Sequence, residues 1–173
     1  MNSSQCRSAQ WTSVHVGLVL LILVGCVGVP IHTLEEPIPP PSSASPQVVA
    51  AYHLVEEGRE QLARGETGSA VATFQKALAL APSSPHASLA LGEAKLKQAD
   101  YRAALVYFDR VSNLTGDNPD WAFRLALLRG QAHEGAGNAS QARADYQTAL
   151  RLVPHSPEAE AALARLDSQS DLP

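Results

Sequence analysis

The chain of 173 residues has few of the residue types that mark disulfide-stapled, β-rich or nucleic-acid-binding proteins. Its two cysteines, Cys6 and Cys26, both lie close to the amino terminus, which excludes a disulfide framework and a thiolate zinc site in a folded core. Aromatic residues make up only 5% of the chain, which argues against a β-sandwich or barrel. The length favours one domain. The net charge of −4 is spread along the chain and not gathered into blocks, so no nucleic-acid partner is expected.

The sequence also lacks the patterns that carry catalysis or metal binding. None of the six histidines has the HxxxH or HExxH spacing, and neighbours such as His133-Glu134 and Glu56-Glu57 point to different sides of a helix. The Gly135-Ala136-Gly137 segment follows a helical pattern and not a strand, so it is not expected to be a phosphate loop. We therefore predict a protein that is not an enzyme and binds neither a metal nor a small-molecule substrate.

A short apolar run near the amino terminus has the pattern of a secretory signal. One cation, Arg7, precedes it, and the run extends only from Val16 to Val29. A helix needs roughly 20 residues to cross the hydrocarbon of a bilayer, so a stable transmembrane helix is the weaker interpretation.

The stretch Leu23-Val24-Gly25-Cys26 resembles the lipobox of bacterial lipoproteins, with an apolar residue three before the cysteine and a small residue just before it. The resemblance implies that residues 1–25 are a signal peptide, that diacylglycerol is attached to the Cys26 thiol, and that cleavage before Cys26 frees an amine for acylation. This covalent lipid is the only non-protein group that we predict. Since Val27 stands where Asp often marks inner-membrane retention, the resemblance favours the outer membrane, facing the periplasm. In the alternative interpretation, the apolar segment is retained as an uncleaved anchor.

Residues 26–45 form the predicted lipidated cysteine and a tether rich in Pro and Ser. Five prolines between Pro30 and Pro41, with three serines behind them, leave too little apolar area for folding and favour an extended polyproline conformation. At ~3.1 Å per residue, the tether could hold a domain roughly 60 Å from a bilayer. Pro37-Ile38-Pro39-Pro40 could instead serve as a PxxP ligand, although we favour the spacer.

From residue 46 the chain repeats itself three times. In each segment a glycine lies twelve positions before an alanine, and an aromatic residue follows that alanine by four. The glycines are Gly58, Gly92 and Gly130, with a longer step between the second and third than between the first and second; the alanines are Ala70, Ala104 and Ala142; the aromatic residues are Phe74, Phe108 and Tyr146. A Ser-Pro or Asn-Pro pair, which favours a capped helix start, stands at Ser45, Ser84, Asn118 and Ser156. The distances from these prolines to the glycines predict that the first helices of the first and third segments are about one turn longer than that of the second.

This pattern resembles the tetratricopeptide repeat, in which small residues let two helices approach closely and an aromatic residue packs against the next helix. The resemblance implies an all-α fold, a short α-solenoid of three helix hairpins at about residues 46–84, 85–118 and 119–155. A capping helix is expected at 157–168 and a tail at 169–173. Since one hairpin cannot bury its apolar face alone, about three stacked hairpins are needed for stability.

In this family the first helices line a groove that holds a peptide or a partner helix, and the resemblance maps that groove onto eleven positions here. They are Tyr52, Val55, Arg59, Leu62, His86, Leu89, Glu93, Leu96, Arg124, Leu127 and Gln131, with Glu134 at the end. The family's clamp for a chaperone tail needs Lys and Asn where this sequence has Val55 and Arg59, so a carboxylate clamp is not expected. Alternatively, Leu62, Leu96 and Leu127 pack within their own repeats.

Together, the two resemblances imply a lipid-anchored scaffold that binds a protein partner in the bacterial envelope. A peptide or an amphipathic helix would suit the mixed apolar and charged groove. Similar lipoproteins act as pilotins for secretin rings or as adaptors in cell-wall machinery. The alternative is an uncleaved, signal-anchored subunit of a larger membrane complex that uses its repeats for assembly.

Overall fold

The computed structural model describes residues 42–170, which fold into seven helices and contain no strand. The helices are α1 Pro46–Ala63, α2 Thr67–Leu80, α3 Pro85–Lys97, α4 Tyr101–Thr115, α5 Pro119–Gly135, α6 Ala139–Leu152 and α7 Pro157–Ser170. The all-α prediction is therefore confirmed. The predicted signal peptide, the lipidation site Cys26 and the tether up to residue 41 lie outside the described residues, as do residues 171–173.

Side chains cap the starts of the first helices where the Ser-Pro and Asn-Pro pairs predict them. The hydroxyl of Ser84 accepts a hydrogen bond from the amide of Ala87 at 3.2 Å, and the side chain of Asn118 accepts two such bonds. The hydroxyls of Ser45 and Ser156 cap α1 and α7 in the same way. Helices α1 and α5 have 18 and 17 residues against 13 for α3, which confirms the extra turn and accounts for the longer second period.

The turn inside each hairpin requires one residue with a left-handed backbone. Gly65 and Gly137 adopt φ angles of 80° and 77° at the end of α1 and α5. The equivalent residue of the second hairpin is Ala99, which adopts a φ of 58° although it carries a Cβ. Such a conformation is costly for a residue with a side chain, so the turn of the second hairpin is more strained than the turns of the first and third.

The core consists of three clusters, each built from one hairpin and the helix that follows it. The first joins α1 and α2 to α3, the second joins α3 and α4 to α5, and the third joins α5 and α6 to α7. Helix α7 thus takes the place of a fourth first helix and covers the last hairpin. Its final turn reaches Ser170, so residues 169–170 belong to the helix and not to the predicted tail.

A glycine and an aromatic ring lock each hairpin together. A Cβ placed on Gly92 would lie 2.4 Å from Cε1 of Phe108, and the corresponding distances are 2.2 Å for Gly58 and Phe74 and 2.4 Å for Gly130 and Tyr146. Each ring therefore fills the space beside the glycine of its own hairpin, where the side chain of any larger residue at that position would lie. The rings of the first two hairpins also pack in clusters that include the next helix, as the sequence pattern predicts.

Of the helices between residues 42 and 170, none combines the length and the apolar character needed to cross a bilayer.

Candidate partner-binding groove

The first helices α1, α3 and α5 pack side by side, and a groove of about 620 Å³ lies along the carboxy-terminal parts of α1 and α3 and the middle of α5. Six of the eleven predicted groove residues line it: Arg59, Leu62, Glu93, Leu96, Arg124 and Gln131. The other lining residues, which sequence reasoning missed, are Glu56, Glu60, Ala63, Lys97 and Leu128. A cavity of this size is within the range of known binding sites for compact ligands and short segments.

A row of ion pairs crosses the floor of the groove from α1 to α5. Arg59 contacts Glu56 at 2.7 Å and Glu93 at 3.8 Å, and Glu93 contacts Arg124 at 2.8 Å. The side chain of Arg124 is only 8% exposed and that of Glu93 18%, so solvent screens the pair weakly. We call these four residues the ion ladder, because successive members connect all three first helices.

Apolar side chains form the walls of the groove beside the ion ladder. Leu62 and Leu96 are half-buried at equivalent positions of α1 and α3, and each packs against a core cluster while it lines the groove. Each of these two leucines therefore packs on a core cluster with one side and lines the cavity with the other. Exposed Glu60 and Lys97 stand at the rim, and Gln131 adds an uncharged amide.

The structure places three predicted groove residues in the core and not on the groove surface. Val55, Leu89 and Leu127 are at most 1% exposed. They occupy equivalent repeat positions, and each belongs to the cluster that holds the aromatic residue of its own hairpin. These side chains point between the two helices of the hairpin, so no partner can reach them. For Leu127, packing within its own repeat is the correct interpretation.

Tyr52 and His86 also lie away from the cavity, in a row of rings at the amino-terminal halves of the first helices. The ring of His86 stands edge-on to Tyr52 at 5.2 Å and to Trp121 at 5.0 Å, which are favourable geometries for aromatic contacts. His86 is only 5% exposed. Burial, followed by the negative charge of Glu56, raises the pKa of Tyr52, so its hydroxyl stays protonated at neutral pH.

Glu134, at the end of the predicted groove, holds the capping helix in place. Its carboxylate accepts two hydrogen bonds from the Arg165 guanidinium, at 2.7 and 2.8 Å, and a third from the Tyr146 hydroxyl at 2.7 Å. The bonds from Arg165, and secondarily the bond from Tyr146, lower the pKa of Glu134. This residue thus joins α5, α6 and α7 and does not line the cavity.

Within residues 42–170, no three His, Cys, Asp or Glu side chains come together in a way that could hold a metal ion.

Comparison with known families identifies the repeats. Two sequence profiles described as tetratricopeptide repeat match residues 61–128 and 127–167, which together take in most of the helical region. The chain therefore contains tetratricopeptide repeats. No curated protein matches the sequence.

Several solved structures share this fold at low sequence identity. The repeat domain of OM64 from Arabidopsis has a TM-score of 0.63 at 22% identity and covers 71% of this chain and 98% of its own. The first repeat domain of Spaghetti (RPAP3), bound to the HSP90 peptide SRMEEVD, has a TM-score of 0.61 at 20% identity. The match covers 70% of this chain and 94% of that domain. The type III secretion translocator chaperone SycD of Yersinia enterocolitica has a TM-score of 0.59 at 16% identity. The match covers 76% of this chain and 100% of the SycD chain.

Proposed function

We propose that this protein is a lipid-anchored scaffold whose groove binds a segment of a protein partner in the bacterial envelope. The observation that carries the proposal is the groove itself, which crosses all three first helices and combines apolar walls with fixed charges. Structural relatives that hold a chaperone peptide or serve a secretion translocator favour a protein partner over a small molecule.

The residues of the groove favour an internal segment of the partner over a free carboxy terminus. A carboxylate clamp needs unengaged donors, but Val55 is fully buried and Arg59 is already paired with Glu56 and Glu93. Since the charges on the floor compensate one another, affinity would come mainly from apolar side chains placed against Leu62 and Leu96. An amphipathic helix or an extended segment with regularly spaced apolar residues meets that requirement.

The groove is tested with Leu62→Glu plus Leu96→Glu, which places two charges on its walls. The matched control is Val106→Glu, because Val106 is 64% exposed on α4 and does not line the groove. Proteins that co-purify with each variant from native membranes are identified and quantified by mass spectrometry. We expect the double variant to lose a partner that the control retains, while far-UV circular dichroism shows that both are folded. Unchanged capture by the double variant would reject the groove.

The anchor is proposed from the lipobox resemblance at Cys26, together with an outer-membrane location facing the periplasm and a pilotin-like or cell-wall-adaptor role. Intact-mass spectrometry of the membrane form should show loss of residues 1–25 and added acyl mass. Cys26→Ala should leave the chain unprocessed. A wild-type mass that retains Met1 to Gly25 without acyl groups would favour the uncleaved, signal-anchored subunit instead.

A further inference from the structure

The interface between the second and third hairpins is polar at three positions where the interface between the first and second hairpins is apolar. In the earlier interface, the residues at these positions belong to the first core cluster or pack against it: Leu78, Leu91 and Tyr107. Their equivalents lie at the same distances from the repeat glycines and aromatic residues and are Ser112, Arg129 and Asp145. These three residues line a cleft of about 260 Å³ between α4, α5 and α6.

Stability alone does not account for this exchange of apolar for polar residues. Replacing partly buried charges by apolar residues of similar volume is often neutral or stabilising, and the first interface shows that the fold accepts apolar residues at these positions. No residue lines both this cleft and the partner-binding groove, so the cleft is a separate feature of the molecule. Polar groups that depart from the local packing pattern and gather in a cleft are typical of a binding site.

Asp145 is a half-buried carboxylate that accepts no hydrogen bond from any group that the structure describes. Nε of Arg129 and Nε2 of His133 both lie 3.8 Å from its oxygens, which is longer than a hydrogen bond. The close contact of Arg129 is instead with Asp109, at 3.0 Å. Burial, opposed by the charges of Arg129 and His133, raises the pKa of Asp145. Since its side chain is still 21% exposed, the carboxylate is accessible and lacks a hydrogen-bond donor.

The other polar groups of the cleft differ in what they can still bind. In the described part of the chain, the hydroxyl of Ser112 has no hydrogen-bond partner. The hydroxyl of Thr148 already donates to the carbonyl of Ala144 and accepts from Arg151. Nε of Arg129 is buried, so a ligand in the cleft does not reach it. The groups that remain for a ligand are therefore the carboxylate of Asp145 and the hydroxyl of Ser112.

We propose that this cleft binds a primary ammonium group carried on a short aliphatic chain. An ammonium has three N–H donors and no acceptor, so it can donate to Asp145 and to Ser112 at once. The remaining walls are apolar or small and suit the aliphatic chain: Gly116, Ala122, Leu125 and Ala126. An anion would instead meet the negative charge of Asp145. The group comes either from a lysine side chain of a protein or from a free aliphatic amine, and this site does not depend on the proposed function.

Amide chemical shifts of the full chain in a non-ionic detergent, measured by NMR spectroscopy, test the site. The probe is n-butylammonium chloride, whose stem has the length of a lysine side chain. We expect shifts that saturate at millimolar concentrations and centre on Ser112 and Asp145. Tetramethylammonium chloride at the same ionic strength is the control, because it carries the charge without an N–H donor, and it should leave these amides unmoved. Shifts that do not saturate, or that tetramethylammonium reproduces, overturn the proposal.

Two variants locate the binding. Asp145→Asn keeps the shape of the side chain and should weaken the binding of n-butylammonium about tenfold or more, because it removes a charged hydrogen-bond acceptor. The matched control, Glu57→Gln on exposed α1 surface, should leave the affinity unchanged. The triple variant Ser112→Leu, Arg129→Leu and Asp145→Tyr copies the first interface and should abolish the shifts while the chain stays helical. Binding that survives Asp145→Asn overturns the proposal, whether or not the triple variant folds.

A second ligand identifies the source of the ammonium group. If Nα-acetyl-lysine amide binds at least as tightly as n-butylammonium, the cleft accepts a lysine side chain with its backbone attached. If only n-butylammonium binds, the ligand is a free amine. If neither binds, the proposal fails. The variants of the cleft alter no residue of the groove and leave Cys26 in place, so partner capture and lipid processing are tested separately from this site.

Discussion

Replacing Gly92 with alanine tests the glycine and aromatic lock of the middle hairpin. The new Cβ would lie 2.4 Å from Cε1 and 2.8 Å from Cδ1 of Phe108, both far inside van der Waals contact. The ring cannot turn aside into solvent, because Phe108 is fully buried between α3, α4 and α5. Accommodation therefore requires α3 and α4 to move apart or the core to repack.

Two effects of opposite sign decide the outcome. Alanine is favoured over glycine inside a helix by ~0.8–1.0 kcal/mol. Overpacking a tight core costs ~1–3 kcal/mol, and two atoms at these distances place the substitution in the upper part of that range. We expect Gly92→Ala to lower the free energy of unfolding by ~1–2 kcal/mol in total. If the ring did not fill this space, the same substitution would stabilise the protein.

Urea denaturation followed by far-UV circular dichroism measures this difference. The control is Gly68→Ala in α2, where a Cβ meets no atom within 4 Å, and it should be neutral or slightly stabilising. In a Phe108→Ala background, Gly92→Ala should no longer destabilise, because the ring that it would strike is absent. Stabilisation by Gly92→Ala as large as that by Gly68→Ala would refute the lock.

Three further substitutions test other parts of the fold by the same denaturation assay. Phe108→Ala should cost ~3–5 kcal/mol as the truncation of a buried aromatic residue, and a loss below ~1 kcal/mol would show that the ring is not core. Ala99→Gly should raise stability by up to ~1 kcal/mol, because relief of left-handed strain exceeds the greater entropy of the unfolded chain; a destabilised variant would contradict the strain. The lowered pKa of Glu134 means that its contribution is present at neutral pH and is lost as the pH falls below about 4.5. Arg165→Gln should therefore reduce the loss of stability that the protein shows as the pH falls. If the stability of the variant falls with pH as steeply as that of the wild type, the Glu134–Arg165 pair does not hold the capping helix.

Most of the fold could be predicted because its determinants are local and repeated. The Ser-Pro and Asn-Pro pairs each fix one helix start through a single side chain and the next three residues. The twelve-position spacing from glycine to alanine sets the distance between two helices of a hairpin, whatever the surrounding sequence. Even the longer second period has a local cause, since it follows from one additional helical turn.

The groove was predictable only in part, because its surface depends on how far neighbouring hairpins bury each first helix. Helices α3 and α5 have neighbours on several sides and carry apolar residues around most of their circumference, so periodicity does not separate core from groove. The mapped positions therefore included Leu89 and Leu127, which the adjacent aromatic rings bury. Rim residues such as Lys97 were missed because they line the cavity only once two hairpins have been stacked.

The ion ladder also lay beyond sequence reasoning, since Arg59, Glu93 and Arg124 each belong to a different repeat and meet only when the hairpins stack. Its position predicts that the groove keeps one shape. Glu93 on the middle helix contacts a guanidinium from each neighbouring first helix, so a change in the spacing of α1 and α5 would lengthen at least one of these contacts. Breaking a weakly screened pair leaves a partly buried charge uncompensated, which is more costly than losing an exposed pair. A partner is therefore expected to adapt to the groove, through the side chains that it places on Leu62 and Leu96, and not to reshape it.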